Sequence, residues 1–455
     1  MHVTVVGGGY VGLISAICFC EFGFNVSVIE DDKEKLRKLK SGESSVYEVG
    51  VEQGLKKAIE SNLITFSNDL SKVVPETDAI FIAVATTKLN GPDSDLSLFH
   101  QTIKTITLSL PRDRYVGIFI KTSVPVGTCS IVANNLRFMR PDLVAGKHYD
   151  IVANPGFLRE GSAIRDFMVP NRAIIGLESD SQKAKELISK IYQSLINMNV
   201  PFIYTNFESA ELIRSATIAF TATKMAFINE MADLCDRSGA DINAIIKGLA
   251  LEQGIGPKAL TVSPGIGGTS FPRTVRILIN TADSMGMDLD VLNGVLKSNE
   301  NRIKGIKDRI IRLIEDEEPI TSKKVSVLGL AFKPLTNDVR ESASILVIND
   351  LLDNEIPVYA YDPLFTSDSK ELYRLPERIN NDQNFHLVDS VYEAVMQSDI
   401  LVIMTNWAEF VTLDFDKIYE LMNKKPGRNP VILDFKNMFS KTDFPNFEYV
   451  SQGEV

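Results

Sequence analysis

The sequence predicts an α/β fold in which two doubly wound parallel-sheet domains are joined by a long central helix. Three observations carry that expectation. Val3-Thr4-Val5-Val6 is an apolar run that enters a glycine turn and then the apolar stretch Leu13 to Phe22, in the order strand, turn, helix. Phe207 to Arg237 keeps apolar residues at helical spacing over many turns, at Leu212, Ile213, Ala216, Phe220, Phe227, Met231 and Leu234. Beyond the charged segment Glu315-Asp316-Glu317-Glu318-Pro319 a second strand run starts at Lys324, and Asp399 to Met404 echoes Asp78 to Val84. The two halves therefore read as a pseudo-repeat of Rossmann-like units.

In the first half the turn is Gly7-Gly8-Gly9-Tyr10-Val11-Gly12. In such a loop the first glycine allows the turn, the second lets the backbone approach a pyrophosphate at the helix N-terminus, and the third lets helix pack on strand. A bare glycine pattern is weak by itself. Here a second strand, Asn25 to Ile29, ends at Glu30, about 20 residues downstream, where an acid meets ribose hydroxyls. A carboxylate there repels a 2′-phosphate, so NAD is expected rather than NADP. Asp31 and Asp32 compete with Glu30 for the ribose role, and a plain structural turn is the competing reading of the loop. The expected cofactor contacts are Gly7, Gly9, Tyr10, Val11, Gly12, Glu30, Lys35, Thr86 and Ser123.

Further apolar runs at Asp78 to Val84, Tyr115 to Ile120 and Asp150 to Ala153 leave room for helices between them, as a buried parallel sheet requires. Ligands bind beyond the carboxyl ends of such strands, which puts Thr86, Thr87, Lys121, Thr122, Ser123 and Asn154 at the rim. In the second half, Lys324 to Leu330 and Pro357 to Tyr361, ending at Asp362, are the next strand candidates.

Composition narrows the function classes. The 455 residues are 44% hydrophobic and 24% charged, ordinary for a globular protein with a sizeable core. A formal net charge of −11 disfavours nucleic-acid or anionic-membrane surfaces, which need clustered Lys and Arg. No apolar run approaches a membrane span and the start shows no signal-peptide pattern, so a cytoplasmic location is expected. Cys18, Cys20, Cys129 and Cys235 form no Cys-x-x-Cys pair and are expected reduced and buried. The four histidines are widely separated, which gives a metal site little support.

The glycine-rich stretch Ser263-Pro264-Gly265-Ile266-Gly267-Gly268-Thr269-Ser270-Phe271-Pro272-Arg273-Thr274 reads as a ligand loop. It resembles the Gly-Gly-x-Cys-Phe-Pro-Lys-Asp signature of the UDP-glucose/GDP-mannose dehydrogenase family, with Ser270 at the cysteine and Arg273 and Thr274 at the last two positions. The resemblance extends over nearly the whole chain. Lys121 to Thr128 is similar to Lys-Ser-Thr-Val-Pro-x-Gly-Thr, with Ser123 for the threonine. Ser44 to Val51 is similar to Ser-Pro-Ile-x-Glu-Pro-Gly-Leu without its prolines, and Thr87 likewise stands for a proline. Asn154-Pro155-Gly156-Phe157-Leu158-Arg159-Glu160-Gly161 resembles Asn-Pro-Glu-Phe-Leu-x-Glu-Gly and keeps one of its two glutamates. Glu211 to Phe220 resembles Glu-x-x-Lys-x-x-x-Asn-Ala-Phe, with Arg214 for the lysine and Ile218 for the asparagine, on one helix face. Gly254 stands at a family arginine. Gly329 to Ser342 matches Gly-Leu-Ala-Phe-Lys-x-x-Thr-x-Asp-x-Arg-x-Ser, and Asn406 and Lys436 replace a Glu and an Arg in the closing motifs.

The resemblance implies an NAD-binding domain over 1–203, a helical dimerisation domain over 204–305 and a nucleotide-sugar domain over 306–455. It implies a homodimer acting on a nucleotide sugar, a UDP-hexose first. In the family, NAD takes two hydrides from the sugar C6: alcohol to aldehyde, then cysteine-bound thiohemiacetal to thioester, which water cleaves. The implied catalytic residues are Ser270, Arg214, Glu160 and Ser123, and the implied substrate contacts are Phe157, Leu158, Arg159, Glu160, Gly265, Gly267, Phe332 and Lys333. Lys333 and Arg340 would face the nucleotide, against a reading as solvated basic residues; Glu160 has the competing reading of a local cap. A serine needs a general base to match a thiolate, and the local sequence offers Ser270 none. The expectation is that the cysteine-dependent acid-forming step is lost. What remains is either an oxidoreductase, performing one hydride transfer or oxidising a different nucleotide sugar by a route using Ser123, Glu160 and Arg214, or a non-catalytic binder of NAD and a nucleotide sugar that serves as partner or regulator of an active relative.

Overall fold

The computed structural model describes residues 1–86, 95–316, 318–366 and 375–454, so Thr87 lies outside the described residues. The chain divides into two compact units, Met1–Thr217 and Ile218–Val455.

The first unit is built on a sheet of eight strands: β1 (His2–Val6), β2 (Asn25–Ile29), β3 (Ile64–Ser67), β4 (Ala79–Ile82), β5 (Val116–Ile120), β6 (Tyr149–Ala153), β7 (Ala173–Gly176) and β8 (Phe202–Thr205). Their order is β3-β2-β1-β4-β5-β6-β7-β8, parallel throughout except where β6 meets β7. β4, β5 and β6 are buried along their whole length, which is why β4 and β5 are continuous apolar runs and β6 is interrupted only by Asp150, a buried carboxylate that accepts from the Tyr115 and Ser181 hydroxyls. The order reverses between β1 and β4, paired in register Val3 to Ala79 and Val6 to Ile82, and their carboxyl ends open the crevice where such sheets take ligands. Helix Tyr10–Glu21 is buried from Gly12 to Cys20, apolar on all sides because it packs under the sheet and against neighbouring helices. Phe81 stacks on Phe119 with centroids 4.5 Å apart, and Phe19 meets Phe167 edge-on at 5.3 Å.

The second unit carries β9 (Val325–Leu328), β10 (Val358–Tyr361), β11 (Phe385–Leu387), β12 (Ile400–Ile403), β13 (Val431–Asp434) and β14 (Glu448–Val450). Their order, β11-β10-β9-β12-β13-β14, is all parallel and repeats that of the first six strands of the other sheet. The same unit contains helices Ser270–Ser284 and Asp290–Ile314. The long helix of the sequence reading runs Phe207–Ser238, counting with the first unit through Thr217 and with the second from Ile218. Among the described residues no helix is long and apolar enough to cross a membrane.

Candidate functional site

The glycine loop follows β1 directly. Gly7 has φ +105°, a conformation that costs glycine little, and a Cβ there would lie 2.8 Å from the Ala83 carbonyl oxygen. A Cβ on Gly12 would sit 1.8 Å from the Gly7 oxygen, so helix and loop close on each other only because Gly12 has none. Gly9 is different: a Cβ there would meet no other residue within 4 Å. Packing of the chain does not require glycine at that position, whereas close approach of a pyrophosphate does. Gly9 is also the N-cap of helix Tyr10–Glu21 and makes no side-chain capping bond, which leaves the first helix amides for an anion.

Glu30 lies at the end of β2, and its carboxylate is held at the loop by the Gly8 amide at 3.1 Å and the Asp32 amide at 3.0 Å. Asp32 is used otherwise, as the N-cap of helix Lys33–Lys40, accepting from the Glu34 and Lys35 amides. Of the three consecutive acids, Glu30 is therefore the one fixed beside the glycine loop, with lone pairs left for ribose hydroxyls. Lys35 is exposed in the first turn of that helix. These groups fit NAD: an uncapped helix end for its pyrophosphate and a carboxylate for its ribose.

At the carboxyl ends of β5 and β6 a cleft is lined by Thr122, Ser123, Val124, Cys129, Pro155, Glu211, Arg214 and Ser215. The Thr122 hydroxyl donates to the Ile82 and Val84 carbonyls, and the Thr86 hydroxyl donates to the Ser123 carbonyl. These bonds fix the Ser123 backbone and leave its side chain exposed. Lys121 turns the other way, buried over the Phe81 and Phe167 rings, its ammonium donating to Asn154 Oδ1 at 3.2 Å. Burial, with a contribution from the Arg214 charge, pushes its pKa down to about 8, partly opposed by Cys18. Arg214 Nε donates to the Gly156 carbonyl at 2.9 Å, binding the helix to the loop that lacks its first glutamate. Glu211 accepts from the Gly127 and Cys129 amides and so caps helix Thr128–Met139. In the loop after Asn154, Glu160 is half-buried, Leu158 packs on the core, the Phe157 ring lies under the Arg172 guanidinium, and Arg159 grips Asp166 through two bonds.

The second unit brings two of the sequence motifs together. Gly267 and Gly268 lie against Phe332, where a Cβ on either would come within 2.9 Å of that side chain, and the Gly268 amide donates to the Arg340 carbonyl. Gly265 packs as closely on Asn299 and Ile303. Asn299 brackets the Ile266 peptide from both sides, Asn229 accepts from the Ser263 amide and donates to the Ser263 hydroxyl, and Arg302 Nε donates to the Ser263 carbonyl. The loop is thus held by groups on three separate segments, and it delivers Ser270 as the exposed first residue of helix Ser270–Ser284. Burial and the Arg340 charge lower the pKa of Arg273, while Arg340 itself chelates Asp338 and Arg276 chelates Glu341. Lys333 lies 5.7 Å from the Phe332 ring. Leu335 and Glu341 both adopt positive φ, 62° and 51°, which is uncommon for residues other than glycine.

Sequence reasoning missed the groups that hold these loops. Asn229, Asn299 and Arg302 carry no local signature. Glu48 sits inside the quoted Ser44 to Val51 motif, which was the available signal, and its buried carboxylate accepts from Tyr10, Gly161 and Ala163. All four cysteines are buried and unpaired, and burial raises the pKa of each. Among the described residues no cluster of His, Cys, Asp and Glu is arranged to hold a metal ion.

Comparison with known proteins agrees with this architecture. Residues 1–196 match the NAD binding domain of the UDP-glucose/GDP-mannose dehydrogenase family, 208–301 its central domain and 326–441 its UDP binding domain. The chain is 35% identical to a UDP-glucose 6-dehydrogenase of Rickettsia felis over 96% of this chain and 92% of that one. It is 35% identical to the UDP-glucose 6-dehydrogenase TuaD of Bacillus subtilis, over 98% and 92%. The solved structure of a UDP-glucose dehydrogenase from Pyrobaculum islandicum superposes with a TM-score of 0.84 at 27% identity, covering 99% of this chain and 96% of that one. The NAD cofactor read from the glycine loop and the two sheets joined by a long helix are thus shared by sequence and structure, and the chain belongs to the UDP-glucose/GDP-mannose dehydrogenase family.

Proposed function

We propose that this protein binds NAD and a nucleotide sugar, a UDP-hexose first, and that it has lost the cysteine-dependent second oxidation, leaving at most one hydride transfer. A single observation carries the reading: an alcohol, Ser270, occupies the first position of helix Ser270–Ser284, and no cysteine elsewhere can replace it. Burial pushes Cys18 and Cys20 up to about 12 and raises Cys129 and Cys235 as well, so none offers a thiolate near neutral pH. NAD, when bound, supplies the hydride acceptor. Arg214 supplies fixed charge and donors without exchanging a proton, the Ser123 hydroxyl stays exposed at the cleft, and Glu160 is the remaining carboxylate of its loop. Gly156 and Ile218 provide neither proton transfer nor a side-chain hydrogen bond.

A second reading is a non-catalytic NAD and nucleotide-sugar binder that partners an active relative. It is favoured by the joint departure of Gly156, Ile218, Gly254 and Thr274 from the family pattern. Either reading places the protein in the cytoplasm, with 1–203, 204–305 and 306–455 as the working divisions. A homodimer is supported by Phe220, Phe227 and Leu234, three large apolar side chains seven residues apart on the long helix and 47–68% exposed.

The test follows NADH while the wild-type protein is mixed with NAD and a panel of UDP- and GDP-sugars. The expected result is no accumulation of uronic acid; UDP-glucuronate formed from UDP-glucose at an enzymatic pace ends the proposal. Turnover on any sugar removes the binder reading. The helix N-terminus that would activate a thiol is still present. S270C should therefore react with iodoacetamide at least about tenfold faster than any native cysteine.

A further inference from the structure

Glu48 is 6% exposed and belongs to none of the cofactor or substrate contacts described above. It lies between helix Lys33–Lys40 and helix Val51–Glu60, and its two oxygens hold three donors from distant parts of the sequence. Oε2 accepts the Tyr10 hydroxyl at 2.5 Å and the Gly161 amide at 2.6 Å, and Oε1 accepts the Ala163 amide at 2.9 Å. Tyr10 is the first residue of the helix that starts at the glycine loop. Gly161 directly follows Glu160, and Ala163 opens helix Ala163–Met168, whose own N-cap, Ser162, makes no side-chain capping bond. One buried carboxylate therefore caps that helix from outside and anchors the glycine loop. Burial, together with the bond to Glu48, raises the pKa of Tyr10, so its hydroxyl remains a donor across physiological pH.

We propose that Glu48 is a positioning residue that couples occupancy of the glycine loop by NAD to the placement of Glu160. The Tyr10 ring is carried by the backbone whose amides face the pyrophosphate, so a shift of that backbone is passed through a single carboxylate to the amide next to Glu160. By linkage, a group settling at the Glu160 loop favours NAD to the same degree. Glutamine cannot substitute, because its amide nitrogen would face an N–H or O–H donor.

The proposal rests on the reading of Glu160 as a site residue, but its test needs neither sugar nor turnover. Hydrogen exchange of the 158–167 segment is followed with and without NAD, alongside calorimetric binding of NAD. In the wild type, NAD should slow exchange at Gly161 and Ala163 by about fivefold or more, the low end of usual coupling. Y10F removes the hydroxyl and keeps both amide bonds. Because Tyr10 is itself an expected cofactor contact, NAD is added to saturation by the variant's own calorimetric affinity, and at saturation Y10F should still lose most of the NAD response at Gly161 and Ala163. E48Q should exchange faster throughout and respond little. An equal NAD response in Y10F and wild type overturns the coupling, as does a wild type that binds NAD without any response at 158–167. Failure of the wild type to bind NAD would overturn both this coupling and the cofactor assignment. Uronate production would refute the proposed function and leave the coupling standing.

Discussion

The two sheets share a strand order, and each begins with a strand, a glycine and an acid at the end of the next strand, yet the two acids have opposite fates. Glu30, after β2, touches two backbone amides and stays half-exposed at its loop. Asp362, after β10, is fully buried and accepts from the Leu330, Ala331 and Leu364 amides and from Trp407 Nε1. Burial raises its pKa and those four bonds oppose the rise. Its acceptor sites are taken up by the protein, so it cannot read a ribose. The loops differ in the same sense: three residues separate β1 from its helix, whereas the segment after β9 runs to helix Ala343–Leu352 and folds over Gly267 and Gly268. One framework has thus been turned to two uses, an open dinucleotide loop in the first unit and a packed platform for the Ser270 loop in the second.

The contrast breaks most visibly at the glycines. G12A puts a Cβ 1.8 Å from a backbone oxygen and should destabilise the first unit by more than about 4 kcal/mol, read as loss of soluble protein or of its thermal transition. G9A meets no other residue, so it should cost about 1 kcal/mol of stability and weaken NAD binding at least about tenfold by calorimetry. If both variants behave alike, the claim that Gly9 is kept for the ligand and Gly12 for the fold fails.

The acids come next. D362A strands four donors and should cost about 3 kcal/mol or more without changing NAD affinity. Trp407 is the only tryptophan and bonds Asp362, so its fluorescence reports unfolding of the second unit. E30A should do the reverse, with stability lowered by about 1 kcal/mol or less and NAD bound about 10- to 100-fold more weakly.

The parts of this contrast differ in how well a sequence can show them. β1, β4, β5, β9, β10 and β12 are apolar runs next to turn signals, and the glycine loop with Glu30 carries its own spacing. β8 is half-exposed along its length and presents no continuous buried run. The Ser263 to Thr274 loop is legible through its glycines, while Asn229, Asn299 and Arg302, which hold it, sit some 30 residues or more away in sequence with no period to betray them. Asp362 could be placed at a strand end; its burial depends on Trp407 and on a loop that arrives from elsewhere. Glu48 was inside a quoted motif, but its three partners are 38, 113 and 115 residues away. Local pattern reports the element, and only the fold reports which distant group completes it.

A smaller effect sharpens the comparison at a place where the halves agree. Lys121 follows β5 and Lys436 follows β13, the corresponding strand, and burial lowers both to about 8 from an ordinary 10.5. Below pH 8 both native and unfolded chains carry the proton, and the native state bears the full cost of a buried charge. Between pH 8 and 10.5 the native lysine releases its proton while the unfolded one keeps it, so stability rises with pH through that window. For Lys121, which is 6% exposed, the wild-type stability relative to K121M should increase by about 2–3 kcal/mol from pH 8 to 10.5. Taking the difference between variants cancels the other titrating groups. K436M should show the same sign with a smaller rise, because part of the Lys436 residue reaches solvent, where its charge is less costly. A flat difference for K121M would mean that the lysine keeps its proton beside Asn154 and the two aromatic rings, and that the two halves do not share this feature.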